Sequence, residues 1–588
     1  MLFGKYVNKY YLRYALYFLV GIIALIVVDM AQLEVPELFG KLIDDINENT
    51  LTMEILTSIV KRMVIIILIM FVCRFAWRIA LFGMATRLEA DLRMRMFKKI
   101  ETLGQDYFSE NKTGAVMVLF TNDLQTIRSC FGQGTMMLID ALFLGVLTFY
   151  KMFNLNKTMA VVSLIPMLLI AVCGLFVSKF MHGKFKVRQE AFESLSDFTQ
   201  ENFSGISVIR AFVKEQSEVT RFSKINLNNE KANLSFIKLM IRMEVALSAA
   251  INIIVLGIIT SGAIIIINNP NGDFTIGNLT EYVSYFSTLI WPIMAISQLI
   301  NMASQGYASL GRINKLFNEK PSVQSKQNAI TLNNVQGKIE FRDLTFTYPT
   351  LEHNILSNVS FTINPGEKIG IIGKTGSGKT TIVDLLLRMY NVEEGHLFID
   401  NIDIMDLDVK SLRENITFVP QDNFLFGTKI KDNMAFGQNA SIEEIEQVSK
   451  MADIHKDIVD FSEGYDTILG ERGVTVSRGQ KQRISIARAL LKKAQIIILD
   501  DAVSAVDTKT EDNILKNLKE HYKNATVIIT AHRISTVQDL DKVLVIEEGQ
   551  VVGFGSHDEL YANNEIYKDM VDLQKLEAKI EGDLNGTN

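Results

Sequence analysis

The stretch Gly373-Lys374-Thr375-Gly376-Ser377-Gly378-Lys379-Thr380 decides how the second half of the chain is read. It follows an apolar run, Ile369 to Ile372, and opens a helical pattern, Thr381 to Tyr390, so strand, loop and helix stand in the order that phosphate binding requires. Glycines let backbone N–H groups wrap phosphate oxygens, and the N-terminus of the following helix adds its positive end. In such a loop Lys379 reaches the β- and γ-phosphates of a nucleotide and Thr380 gives an oxygen to Mg2+, with Thr375 and Thr381 flanking them.

Downstream, Ile496 to Leu499 reads as a buried parallel strand running into Asp500-Asp501, and open α/β sheets bind ligands at that carboxyl end. Alone, the acidic pair would pass for a helix cap. With the phosphate loop upstream, Asp500 serves the Mg2+ site and Asp501 stands where a water-activating base belongs. Between loop and strand lies Val476-Ser477-Arg478-Gly479-Gln480, then Lys481-Gln482-Arg483 and a helix. From Lys338 onward short β-rich runs alternate with helical patterns, so 338–588 is expected to be an α/β domain. Glu319 to Gly337 is polar and aperiodic, which predicts a linker over 319–337.

Upstream the character is different. The 588 residues carry 60 Lys plus Arg against 66 Asp plus Glu, which leaves no basic field for nucleic acid. Apolar residues make up 48% and charged ones only 21%, which puts part of the chain in a lipid bilayer. Within residues 1–318 six spans are expected: Tyr14 to Pro36, Met63 to Met84, Thr135 to Phe153, Thr158 to Val177, Val245 to Ile267 and Tyr282 to Met302. Lys5, Lys9 and Arg13 precede the first span, but Asp29, Glu34 and Pro36 follow in place of a cleavage site, so it stays as a membrane helix. Basic residues in the two long connections, against acidic ones near Asp44 and Glu48, predict that both termini are cytoplasmic. Those connections have helical spacing and break at Lys112-Thr113-Gly114 and Ser204-Gly205. Cys73, Cys130 and Cys173 are too few for a disulfide framework.

With these motifs in this order, the chain resembles an ATP-binding cassette (ABC) exporter half-transporter. The implied fold is an all-α six-span membrane domain fused to an α/β P-loop nucleotide-binding domain. The resemblance implies that Tyr348 stacks on adenine, and that Gln421 contacts Mg2+ and the attacking water. It implies that Ser477, Gly479 and Gln480 bind the γ-phosphate of ATP held by a partner cassette. The Ser504-Ala505-Val506-Asp507 loop would face that partner, and His532 would hold the γ-phosphate. Met96 to Asn122 and Asn202 to Val213 would be the coupling segments. Two motifs depart from the family pattern: Asp501 replaces the usual Glu, and Val476 and Arg478 replace Leu and Gly of the signature. Arg478 either blocks close approach or lends its charge. In both respects the chain is similar to the degenerate-site subunit of bacterial heterodimeric multidrug exporters, whose own ATP site hydrolyses slowly.

A second half-transporter with Glu after Walker B is therefore the expected partner, and hydrophobic or amphipathic compounds are the expected cargo. A homodimeric exporter of lipid or peptide, and a nucleotide-gated channel or regulatory subunit, stand as alternatives. Phe286, Trp291, Met294 and Met302 read as packing or lipid contacts, whereas Asp29, Glu34, Arg74, Arg78 and Asp140 must face a cavity or a partner. Counting helical rise places Asp140 within a turn of Arg74, so an ion pair between them is expected; the alternative is that both arginines reach the inner interface.

Overall fold

The computed structural model describes residues 6–269, 272–470, 473 and 475–585, with the side chains of 164, 167–180, 182, 297 and 577–585 outside the described set. The chain forms two compact units. One takes residues up to Glu101 together with Thr113–Glu319, and the other takes Thr102–Lys112 with the chain from Lys320 onward.

The first unit is built of long helices, because apolar side chains run almost without interruption and every backbone group is bonded within its own helix. Ala15–Asn47, Met53–Ile100, Thr113–Leu155, Glu215–Asn268 and Ile276–Asn318 are each long and apolar enough to span a membrane. The expected fourth span lies on the helix Lys157–Ser204, with most of its side chains outside the described residues. At 1.5 Å per residue, a 48-residue helix such as Met53–Ile100 runs about 72 Å, well beyond the roughly 30 Å of hydrocarbon. The long connections are thus extensions of the spans, as the helical spacing predicts. Gly205 ends one of them, and the short helix Ile206–Ala211 follows. Three turns are fixed by N-caps, in which Thr52, Asn156 and Thr275 side chains accept from the N–H groups of Ile55, Met159 and Asn278.

The third stretch was expected to be a plain helix over Thr135 to Phe153. The stretch Thr113–Leu155 that carries it holds two π-helical turns, Leu119–Asp123 before the expected span and Asp140–Leu144 inside it, each with a buried aspartate at one end. Asp123 accepts from Ser309 Oγ at 2.8 Å and from two nitrogens of Arg312, at 2.9 and 2.5 Å, which ties this helix to Ile276–Asn318. The expected ion pair of Asp140 with Arg74 does not form. Asp140 Oδ2 accepts instead from Trp291 Nε1 at 3.0 Å. Counting rise had set the depth but not the direction: the π turn rotates Asp140 toward the Ile276–Asn318 helix, on which Trp291 lies.

The second unit holds a six-stranded sheet in the order β10-β9-β3-β8-β7-β6. Its strands are β3 (Lys368–Ile372), β6 (Ile416–Val419), β7 (Ile496–Asp500), β8 (Thr526–Ala531), β9 (Lys542–Glu547) and β10 (Gln550–Gly555). All are parallel to their neighbours except β10, which closes the edge antiparallel to β9. Strands β3, β7 and β8 are buried at every position, so they read as continuous apolar runs. A smaller antiparallel sheet, β2-β1-β4-β5, is made of β1 (Ile339–Phe346), β2 (Leu356–Ile363), β4 (Leu397–Ile399) and β5 (Ile402–Asp403). The expected linker residues lie on this unit: Lys326 Nζ sits 2.6 Å from both Glu394 and Asp406, and Arg388 Nη2 donates to Gln324 O. The short helix Gln105–Glu110, inside the first expected coupling segment, belongs to the same unit, where Asp106 accepts from Ser322 Oγ at 2.8 Å.

Candidate nucleotide-binding site

Strand order explains why motifs more than a hundred residues apart meet. β3, β8, β7 and β6 are neighbours, and their carboxyl ends lead respectively to the phosphate loop, His532, Asp500-Asp501 and Gln421. Ligands bind at that end of an open parallel sheet.

The loop itself needs its glycines. Gly376 and Gly378 have φ of +83° and +102°, and a Cβ on Gly373 would lie 2.2 Å from the Ile546 carbonyl. Gly378 leads directly into the helix Lys379–Leu386, whose first N–H groups face the loop. Lys379 is buried and donates to the carbonyls of Gly373 at 2.7 Å and Lys374 at 3.0 Å, bracing the loop from within. Burial lowers its proton affinity, while Asp501 and Asp500 oppose that shift. Ser377 Oγ is buried without a hydrogen-bond partner among the described residues, which suits a phosphate oxygen. Lys374, Thr375 and Gly376 form the exposed crown, with Lys374 Nζ 3.2 Å from Glu547.

Asp500 ends β7, and burial raises its carboxyl above the usual range, opposed by bonds from Thr530 at 2.5 Å and Thr380 at 3.4 Å. These hard oxygen donors beside a phosphate loop fit Mg2+, which takes one or two carboxylates and completes its shell with phosphates and water. Asp501 takes a left-handed backbone, φ 49°, with its N–H bonded to Thr530 O at 3.1 Å and Thr530 Oγ1 at 2.9 Å. Gln421 Nε2 donates to Asp501 Oδ2 at 3.4 Å, so the two residues singled out for the attacking water stand together.

Tyr348 packs edge-on against Tyr390 and Phe346, and its hydroxyl lies 3.0 Å from Thr381 Oγ1. Thr381, next to Thr380, thus links the Tyr348 ring to the start of the helix Lys379–Leu386. Ser477 caps the helix Arg478–Leu491 through a capping box with Gln480, at 3.2 and 3.0 Å. Gly479 lies against the Ala505 carbonyl, 3.0 Å from where a Cβ would stand. Ser477 and Arg478 are exposed.

Three polar residues were missed by the sequence reading. Gln482 is buried, donates to Asp501 O at 3.0 Å and accepts from Ala505 N at 3.0 Å, linking the signature helix to both loops. Thr530 bonds Asp500 and Asp501 from the neighbouring strand. Gln574, on the helix Glu565–Asn585, donates to His532 O at 2.9 Å and accepts from Ile534 N at 2.7 Å, so it grips the backbone on either side of Arg533. Buried Tyr567 and Val571 fix that helix against Ala531, Ile534 and Val537.

A helical membrane unit joined to a cassette with this site defines an ATP-driven membrane transporter. Two family descriptions match the chain: ABC transporter transmembrane region over residues 18–293, and ABC transporter over residues 356–504. The multidrug resistance-like ATP-binding protein MdlA of Buchnera aphidicola subsp. Schizaphis graminum is 36% identical, over 96% of this chain and 97% of the relative. An ATP-dependent lipid A-core flippase of Syntrophus aciditrophicus is 32% identical, over 90% of this chain and 87% of the relative. A solved bacterial Atm1-family ABC exporter with ATP bound has the same fold, with a TM-score of 0.76 at 24% identity, covering 97% of this chain and 98% of that one. The chain belongs to the ABC transporter family. It is a multi-pass membrane protein with an ATPase coupled to transport.

Proposed function

We propose that the chain is one half of a heterodimeric exporter whose own ATP site turns over slowly, and that it moves hydrophobic or amphipathic compounds out across the cytoplasmic membrane. The observation that carries this reading is Asp501. Its carboxylate stands beside Gln421 on a backbone anchored twice by Thr530, so a shift in the loop does not readily restore the reach of the missing methylene. Misplacing a reacting group by about 1 Å costs on the order of a hundredfold in rate.

In this reading Tyr348 stacks on adenine, the phosphate loop holds the phosphates, and His532 holds the γ-phosphate. Thr380, Asp500 and Gln421 would hold Mg2+, which supplies charge neutralisation on the phosphate oxygens when bound. Ser477, Gly479 and Gln480 serve ATP on the partner cassette, and both chain ends lie in the cytoplasm. A 510 Å³ cavity in the membrane unit, lined chiefly by uncharged amides including Gln125, Gln133, Gln298 and Gln305, supports a cargo with a polar part. The test is ATP turnover of the purified chain alone and with a co-expressed half-transporter carrying Glu after Walker B. Strong stimulation by the partner is expected, and full turnover by the chain alone overturns the heterodimer.

A further inference from the structure

Asp29 and Asp140 are buried in the membrane unit, 3% and 8% exposed. Counted from the helix ends at Asn47 and Leu155, they lie about 27 and 22 Å along their helices, and Trp291, counted from Ile276, lies about 22 Å along its own. Those three ends are tied together: Asp44 accepts from Thr275 Oγ1 at 2.6 Å and Gly277 N at 2.8 Å, and Lys151, near Leu155, pairs with Glu37 at 2.8 Å. The π turn Asp140–Leu144 packs against both the Ala15–Asn47 and the Ile276–Asn318 helices. Asp140 and Asp29 are close enough to interact electrostatically, and Trp291 donates to Asp140.

The pair is unbalanced. Asp29 Oδ2 and Asp140 Oδ1 are buried with no hydrogen-bond partner among the described residues, and neither carboxylate has an ion pair there. Glu34 and Glu37, on the same helix as Asp29, do have cations: Arg62 at 3.4 Å for the first, and Lys151 at 2.8 Å and Lys41 at 2.9 Å for the second. A carboxylate inside a membrane domain without a partner is costly to keep, and such groups mark ligand or ion paths.

We propose that Asp29, Asp140 and Trp291 form a binding site for an organic cation, an ammonium or phosphonium carried on an apolar body. The carboxylates supply the charge, and the Trp291 ring, 41% exposed, supplies a face for the cation. A bare metal ion fits poorly, since two carboxylates and an indole fall short of the oxygen shell that hard cations need. The assignment rests on the export reading, of which it names the cargo class.

The test uses the full-length protein in lipid nanodiscs with Trp77→Phe, so that Trp291 is the remaining tryptophan. The probes are tetraphenylphosphonium and, as an uncharged counterpart, triphenylphosphine oxide. Tetraphenylphosphonium is expected to quench Trp291 emission saturably, above its partition into empty nanodiscs. Asp29→Asn and Asp140→Asn should each weaken that binding by about tenfold, since each leaves half the charge, while Asp140→Glu retains most of it. The size-exclusion profile and melting temperature of each variant in nanodiscs show that the membrane unit is folded, and the Asp140→Glu comparison stands if an Asn variant is not. The proposal is overturned if no saturable binding occurs, if the uncharged probe binds as well, or if the Asn variants bind as tightly as the parent. Cation binding without ATP-driven uptake into inside-out vesicles that hold the chain together with its co-expressed partner would leave the site standing and overturn the export reading instead.

Discussion

The Gln421 carboxamide stands 3.4 Å from the Asp501 carboxylate, across the carboxyl ends of adjacent strands. In the proposed reading, lengthening the acid by one methylene acts where the attacking water would be held. Asp501→Glu is expected to raise ATP turnover at this chain's site by tenfold or more, and Asp501→Asn to abolish what remains. The gain is reduced by the left-handed backbone at this position, which Asp adopts more readily than Glu. Steady-state hydrolysis of the purified variants decides it, and unchanged turnover in Asp501→Glu would show that acid length is not the limit.

Lys379 holds the loop through two carbonyls, and in the proposed reading it also faces the phosphates. Lys379→Ala should weaken ATP binding at this site by at least about tenfold, since a charge-assisted contact and the loop brace are lost together. In the paired exporter, transport should fall less than after the matching change in the partner. Equal losses in the two variants would argue for equivalent sites.

Gln574 brackets the backbone around Arg533, so its loss frees the switch segment without touching nucleotide. Gln574→Ala, which removes both backbone bonds, should weaken ATP binding about fivefold and leave ADP binding unchanged, because the role proposed for His532 is toward the γ-phosphate alone. Comparing the two affinities on one preparation separates this from general destabilisation, which would lower both.

Asp384 is pushed up to about 6, first by burial and then by the charge of Asp500. With its folded pKa above the unfolded value of 3.8, the native state binds the extra proton between these limits, so stability falls as pH rises from about 4 to about 6. Above that window the cost is complete, at most about 3 kcal/mol. Asp384→Asn should therefore raise the melting temperature relative to the parent at pH 7 and lose that advantage near pH 4. A difference that does not vary with pH would rule out this titration.

What was legible in advance follows a physical rule. The phosphate loop, Asp500-Asp501 and the signature are read from residues within about eight positions of one another, because backbone geometry and helix capping are local. Thr530 was not, since its partners Asp500 and Asp501 are about thirty residues away and meet it only through the β7–β8 register. Gln574 and His532 are likewise 42 residues apart. Asp140 failed for a related reason: its depth came from counting, but a π turn set its direction.

By itself, the sequence determined that apolar runs of span length precede an α/β nucleotide cassette, and it singled out the loop expected to take phosphate. Hydropathy and loop chemistry depend on composition and short spacing, so they survive without coordinates. Tertiary structure alone decided which groups share a neighbourhood. It set Gln421 on Asp501, Gln574 on the His532 backbone and Trp291 on Asp140, because strand order and helix rotation, not distance along the chain, fix which side chains meet.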